Sequence, residues 1–203
     1  MISFPGNPWP AGHELADLQW TARLEPATGL WFDLHLESAP YDADPAAIDG
    51  EDDWNAPIVW TNYHRCILSS TYWDNPGFLA ATLQQPLANL DFTVDVVEQE
   101  EDEDQAFGIY LLGHDSVSDH RITFTPNPGG TTFRLDWRGR IALRYSDSLA
   151  TYDHEFIATA TDVSLTHITV PTDMDDDSAR TMLAALIHPL PATTLHRATP
   201  RQR

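Results

Sequence analysis

The stretch LADLQWTARLEPATGLWFDLHLE, residues 15–37, decides the fold. Leu18, Trp20, Ala22 and Leu24 form one apolar row at two-residue spacing; Leu30, Phe32, Leu34 and Leu36 form a second, alternating with Trp31, Asp33, His35 and Glu37. Successive side chains on a strand point to opposite faces, so each row marks a strand with one buried face. Pro26-Ala27-Thr28-Gly29 between them has turn composition, and the whole predicts a β-hairpin.

Working outward, the same signature recurs. Residues 58–68 are dense in β-branched and aromatic side chains and predict a strand. Asn75-Pro76-Gly77 breaks the chain, and residues 78–85 predict a short helix ended before Pro86. Residues 92–97 and 107–112 predict the arms of a hairpin. Further strands are predicted at 120–125, 132–137 and 140–145, joined by Pro126-Asn127-Pro128-Gly129-Gly130 and by Arg138-Gly139, and a last pair at 153–159 and 164–170. Pro171 stops the last strand. Thr172 with Asp175 reads as a capping box before Ala179, Met182, Leu183 and Leu186 at helical spacing, a helix ended near residue 188 by Pro189.

Close-spaced strands joined by short turns argue for an antiparallel meander rather than βαβ units. The expectation is a β-dominated α+β fold, a curved or two-layer sheet with a C-terminal helix packed against it. One domain accommodates the 203 residues, with an irregular segment over 1–13 and a frayed polar tail over 190–203.

Charge is distributed unevenly. All 11 basic residues are arginines, and 31 Asp and Glu bring the formal charge to -20. Asp42, Asp44, Asp49, Glu51, Asp52 and Asp53 form one acidic run, Glu98, Glu100, Glu101, Asp102, Glu103 and Asp104 a second, and Asp173, Asp175, Asp176 and Asp177 a third. Without those 16 acids, 15 face the 11 arginines, a balance of only -4. Codon bias or salt adaptation explains an acidic, lysine-free chain, but neither gathers acids into runs.

The composition excludes several functions. Without lysine there is no Schiff-base amine and no P-loop or kinase-type lysine. The single Cys66 permits no internal disulfide and no multi-cysteine zinc site. No run approaches a membrane-spanning length, and this much negative charge repels anionic lipid and nucleic-acid phosphate. The N-terminal stretch has neither a basic leader nor an apolar core, so a cytoplasmic location is expected, with no membrane or direct nucleic-acid partner.

Candidate chemistry is weak by comparison. Asp173, Asp175 and Asp177 alternate like a calcium loop, but Ser178 and Ala184 stand where glycine and glutamate are needed. Carboxylates in a first helical turn have a sufficient cause in the N-terminal dipole. His64 and Cys66 share a strand face, where a lone cysteine is usually a small buried hydrophobe. His114, Asp115, Asp119 and His120 would converge on a metal only across a tight turn. Trp54, Trp60 and Trp73 are candidates for stacking on sugar rings, whereas Trp20, Trp31 and Trp137 fit core positions.

No catalytic residue, metal or cofactor is therefore assigned. The expectation is a non-enzymatic binding protein whose acidic loops dock a basic protein, as an inhibitor or immunity protein against a cationic toxin or nuclease. Asp49, Glu51, Asp52, Asp53, Glu100, Glu101, Asp102, Glu103 and Asp104 would supply the contacts, with Trp54 as an aromatic anchor. The alternatives are a carbohydrate-active hydrolase or sugar-binding domain, with strand-borne carboxylates such as Asp33, Asp95 or Asp136 beside tryptophan, and an acidic surface that serves solubility alone.

Overall fold

The computed structural model describes residues 1–41, 54, 65–73, 75–96, 105–130, 132–143, 151–187 and 194–198. Twelve strands and one helix lie among them, in the order β1 (Ile2–Ser3), β2 (Leu15–Glu25), β3 (Gly29–Ser38), β4 (Ile67–Ser69), β5 (Phe78–Ala81), β6 (Asp91–Val94), β7 (Gly108–Tyr110), β8 (His114–Pro126), β9 (Phe133–Ala142), β10 (His154–Val163), β11 (Leu165–Val170), α1 (Asp176–Leu186) and β12 (Thr194–Arg197). The β-dominated α+β class is as expected. No helix among the described residues is long and apolar enough to cross a membrane.

The hairpin of β2 and β3 forms in the expected register, with Trp20 opposite Leu34 and Leu24 opposite Leu30. Both apolar rows face the core, and all of their members but the half-buried Leu18 are buried. The strands order β1-β10-β9-β8-β7-β4-β3-β2-β11-β12, with β5 on β3 and β6 on β8. Pairing is antiparallel except that β11 runs parallel to both β2 and β12. Trp20 on β2 stacks on Phe124 of β8 at 4.0 Å, and Phe32 on β3 meets Phe92 of β6 at 5.7 Å. These strands are distant in the sheet order, so the sheet curls back and packs on itself, the two-layer form of the expected architecture. The helix adds Ala179, Leu183 and Leu186 to the same core.

Several local expectations give way to long-range pairing. Residues 78–81 are strand β5 rather than helix, because β3 offers a free edge there and Phe78 and Ala81 bury against it. A tight turn then links Thr82 and Gln85. The segments 92–97 and 107–112 do not form a hairpin: β6 and β7 lie in tandem along β8, and β7 also pairs with β4. Arg138-Gly139 is no turn, since β9 runs straight through it. A Cβ on Gly139 would lie 2.5 Å from Phe156 Cε1 and 2.8 Å from His120 Nδ1, so this glycine marks close approach.

The last strands, β10 and β11, are consecutive but unpaired; β10 lies between β1 and β9. The helix is capped by Asp175 rather than Thr172, its carboxylate accepting from Ser178 N at 2.8 Å and Ser178 Oγ at 2.7 Å. These hydrogen bonds, the backbone one foremost, hold the Asp175 carboxyl below its usual range. The N-terminal segment contributes β1, and within the expected tail β12 adds a strand to the sheet edge. In the 58–68 region the described strand is β4; residues 58–64 lie outside the described residues, as do 190–193 and 199–203.

Candidate functional site

The expected contact residues Asp49, Glu51, Asp52, Asp53, Glu100, Glu101, Asp102, Glu103 and Asp104 lie outside the described residues, as do His64 and Trp60. Their flanking residues are described. Trp54, directly after the first run, stacks its indole on the His154 ring at 4.2 Å and 19° and donates Nε1–H to Pro5 O at 3.0 Å. Gln105, directly after the second, donates from Nε2 to the Tyr152 hydroxyl at 2.6 Å. Tyr152 and His154 are two residues apart, a span of at most about 7 Å, and Asp153 N turns back onto Thr151 O at 2.9 Å between them. The residues that follow the two runs thus contact neighbouring points of one segment.

The residues that precede the runs are described as well. Tyr41, one residue before Asp42, is buried with its ring stacked on His13 at 4.0 Å, and Trp9 packs on both. Burial lowers the His13 pKa, favouring a neutral ring there. Asp95 Oδ2 accepts from Ala106 N at 2.9 Å, and Gln105 O accepts from Asn75 Nδ2 at 2.9 Å. The Arg140 guanidinium donates to Tyr152 O at 3.1 Å and lies 3.8 Å from Asp119 and 4.0 Å from Glu155.

The strand carboxylates named for a hydrolase are engaged otherwise. Asp33 takes Arg23 Nη1 on both oxygens at 2.8 Å and Ser70 Oγ at 3.1 Å, while Arg23 also reaches Glu25 and Pro76 O. Asp95 binds Ala106 N and faces the fully buried His120, whose Nε2 is 3.6 Å from Oδ2. Trp137 Nε1–H donates to His120 Nδ1 at 3.2 Å, so the neutral ring carries its proton on Nε2. Burial pushes the His120 pKa down to about 3. Asp136 pairs with Arg134 on the surface. Each carboxylate has a structural partner in place of a substrate cleft.

The tight turn that His114, Asp115, Asp119 and His120 would need to meet on a metal is not present. Residues 114–120 run along β8, with an irregularity between Ser118 and Arg121, and His114 and His120 are up to about 20 Å apart. His114 is exposed, while buried Asp115 accepts from Leu112 N at 3.2 Å. Among the described residues no group of three or more His, Cys, Asp or Glu is placed to hold a metal. Cys66 is fully buried, and desolvation, with the Asp115 charge adding to it, pushes its thiol pKa up, the reverse of nucleophile activation.

Sequence reasoning missed one arrangement. Ser69 Oγ lies 3.0 Å from His35 Nδ1, and His35 Nε2 lies 3.9 Å from Asp17, the order of groups in a serine hydrolase. The serine oxygen, however, accepts N–H groups from Thr71 at 3.0 Å and Tyr72 at 3.1 Å, and Ser69 is fully buried. The arrangement is a clamp that folds residues 70–73 back over the outer sheet face. Asp17, His35 and Ser69 come together only through strand register, so no local motif announces them.

Two surface grooves are present among the described residues. One, of about 270 Å³, opens where β5 and β6 diverge; the other, of about 330 Å³, lies between the start of β2 and the β10–β11 connection. Neither is lined by His120, His35 or Ser69, while Asp17 lines the second. No protein family, curated protein or solved structure matches the chain.

Proposed function

We propose that the protein is a non-enzymatic acidic binding protein that docks a basic protein partner, acting as an inhibitor or immunity protein that fills the phosphate-binding site of a cationic toxin or nuclease with carboxylates. The observation that supports this reading is the contact of Trp54 and Gln105, the residues that follow the two acidic runs, with the single segment Tyr152–His154. Runs whose following residues meet at neighbouring points present their twelve acids to one partner more readily than runs that end far apart. Trp54, with one ring face on His154 and its N–H on Pro5, takes a tethering role in this account.

The hydrolase alternative draws less support, because Asp33, Asp95 and Asp136 are each held by a structural partner. The test is a pull-down from native lysate at low and high salt, with wild type and with the acids of 98–104 changed to Asn and Gln. A basic protein retained by wild type at low salt, released by high salt and absent from the variant is expected. The same partner recovered equally from the variant overturns the role of that loop.

A further inference from the structure

Strand register places the side chains of His35, Glu37, Ile67, Ser69, Tyr110 and His114 on the sheet face opposite the core. The clamp at Ser69 folds Tyr72 and Trp73 onto this outer face. The Trp73 ring meets Tyr72 at 4.8 Å and 73° and His114 at 5.7 Å and 80°, and His114 meets Tyr110 at 5.4 Å and 69°. Tyr72 lies parallel to His35, with centroids 6.4 Å apart. Trp73 is seated over Gly108, where a Cβ would come within 2.8 Å of its ring. Four contiguous aromatic rings thus lie outside the core, and Tyr72 remains 57% exposed.

We propose that the platform of Tyr72, Trp73, Tyr110 and His114 is an arginine-docking surface for the protein partner, an inference that rests on the acidic-binding reading and specifies the chemistry of that partner. Tyr72 and His114 are exposed at the platform, which suits a side chain projecting from a protein surface. Aromatic ring faces attract cations, and a planar guanidinium stacks on them with less desolvation cost than an ammonium. Charge complementarity points the same way: the chain carries -20, and Asp17 and Glu37 stand at the platform's rim.

The same outer face already holds one arginine in this manner: the Arg23 guanidinium lies 4.8 Å from the Trp31 ring centroid while binding Asp33. Arg65 on that face is ion-paired with Glu37 at 2.6 Å.

Calorimetric titration with octa-arginine and octa-lysine at one fixed low ionic strength tests this, using wild type, Tyr72→Ala, Tyr72→Phe and the variant neutralised over 98–104. Wild type is expected to bind octa-arginine more tightly than octa-lysine. Tyr72→Ala should weaken octa-arginine by about 2- to 30-fold with little change for octa-lysine, and Tyr72→Phe should retain the preference. Unchanged octa-arginine affinity in Tyr72→Ala overturns the inference; if the neutralised variant then loses both peptides, the acidic-binding reading survives it. If wild type binds neither peptide, both fail. Tyr72-dependent quenching of tryptophan fluorescence by a neutral oligosaccharide, without any arginine preference, assigns the platform to sugars and also overturns the inference.

Discussion

Asp95 Oδ2 accepts a hydrogen bond from Ala106 N at 2.9 Å, so one carboxylate ties together two points that flank the second acidic run in the sequence. Asp95 also has φ 51, a left-handed conformation that Asp and Asn tolerate better than Ala. Asp95→Ala should therefore cost about 1–3 kcal/mol, combining the orphaned Ala106 N–H with backbone strain, while Asp95→Asn should cost less. Urea denaturation measures both. Equal stability of Asp95→Ala and wild type would remove the carboxylate from its assigned role.

The His120–Trp137 pair gives the fold an acid sensitivity. The folded ring stays neutral down to about pH 3, whereas in the unfolded chain it takes up a proton near pH 6.5. Between those values the unfolded state binds more protons, so stability is full above pH 6.5 and falls as pH drops, by up to about 1.4 kcal/mol per pH unit. Burial of His13 and His167, whose pKa values are also lowered, acts in the same direction. Relief of carboxylate repulsion opposes it, mainly nearer pH 4. Urea midpoints between pH 7 and 5 should fall in wild type and fall less steeply in His120→Gln; parallel slopes would contradict this.

Gly139→Ala should destabilise by about 1–3 kcal/mol, because its Cβ would collide with both Phe156 and His120. Thermal unfolding reads the loss. A neutral outcome would mean that β9 and β10 shift apart at no cost.

The Gly139 misreading shows where local sequence is informative. The β2–β3 hairpin was legible because both strands bury one face and the turn between them is short, so pattern and pairing coincide. A glycine after arginine looks the same whether it turns the chain or admits a neighbouring ring. The tandem placement of β6 and β7 along β8, and the parallel docking of β11 on β2, depend on pairings remote in sequence that no local period encodes. The acidic runs were plain from the sequence. Their attachment through Trp54 and Gln105 to Tyr152–His154 was not, because stacking and a side-chain hydrogen bond leave no periodic trace.

Arg23 should not be replaceable by lysine. Its guanidinium binds Asp33 and Glu25, reaches Pro76 O and lies over Trp31, a set of contacts that one ammonium does not reproduce. Arg23→Lys should cost about 1–3 kcal/mol by urea denaturation, and a loss below about 0.5 kcal/mol would count against the network.

The central claim is that the two acidic loops dock one basic protein. Its most direct measurement is the affinity of the purified partner across a salt series, for wild type and for a variant with Asp49, Glu51, Asp52, Asp53 and Glu100 to Asp104 neutralised. The account predicts affinity that falls steeply with salt in wild type and a weaker, flatter dependence in the variant. The same affinity and the same salt slope in both proteins would contradict it.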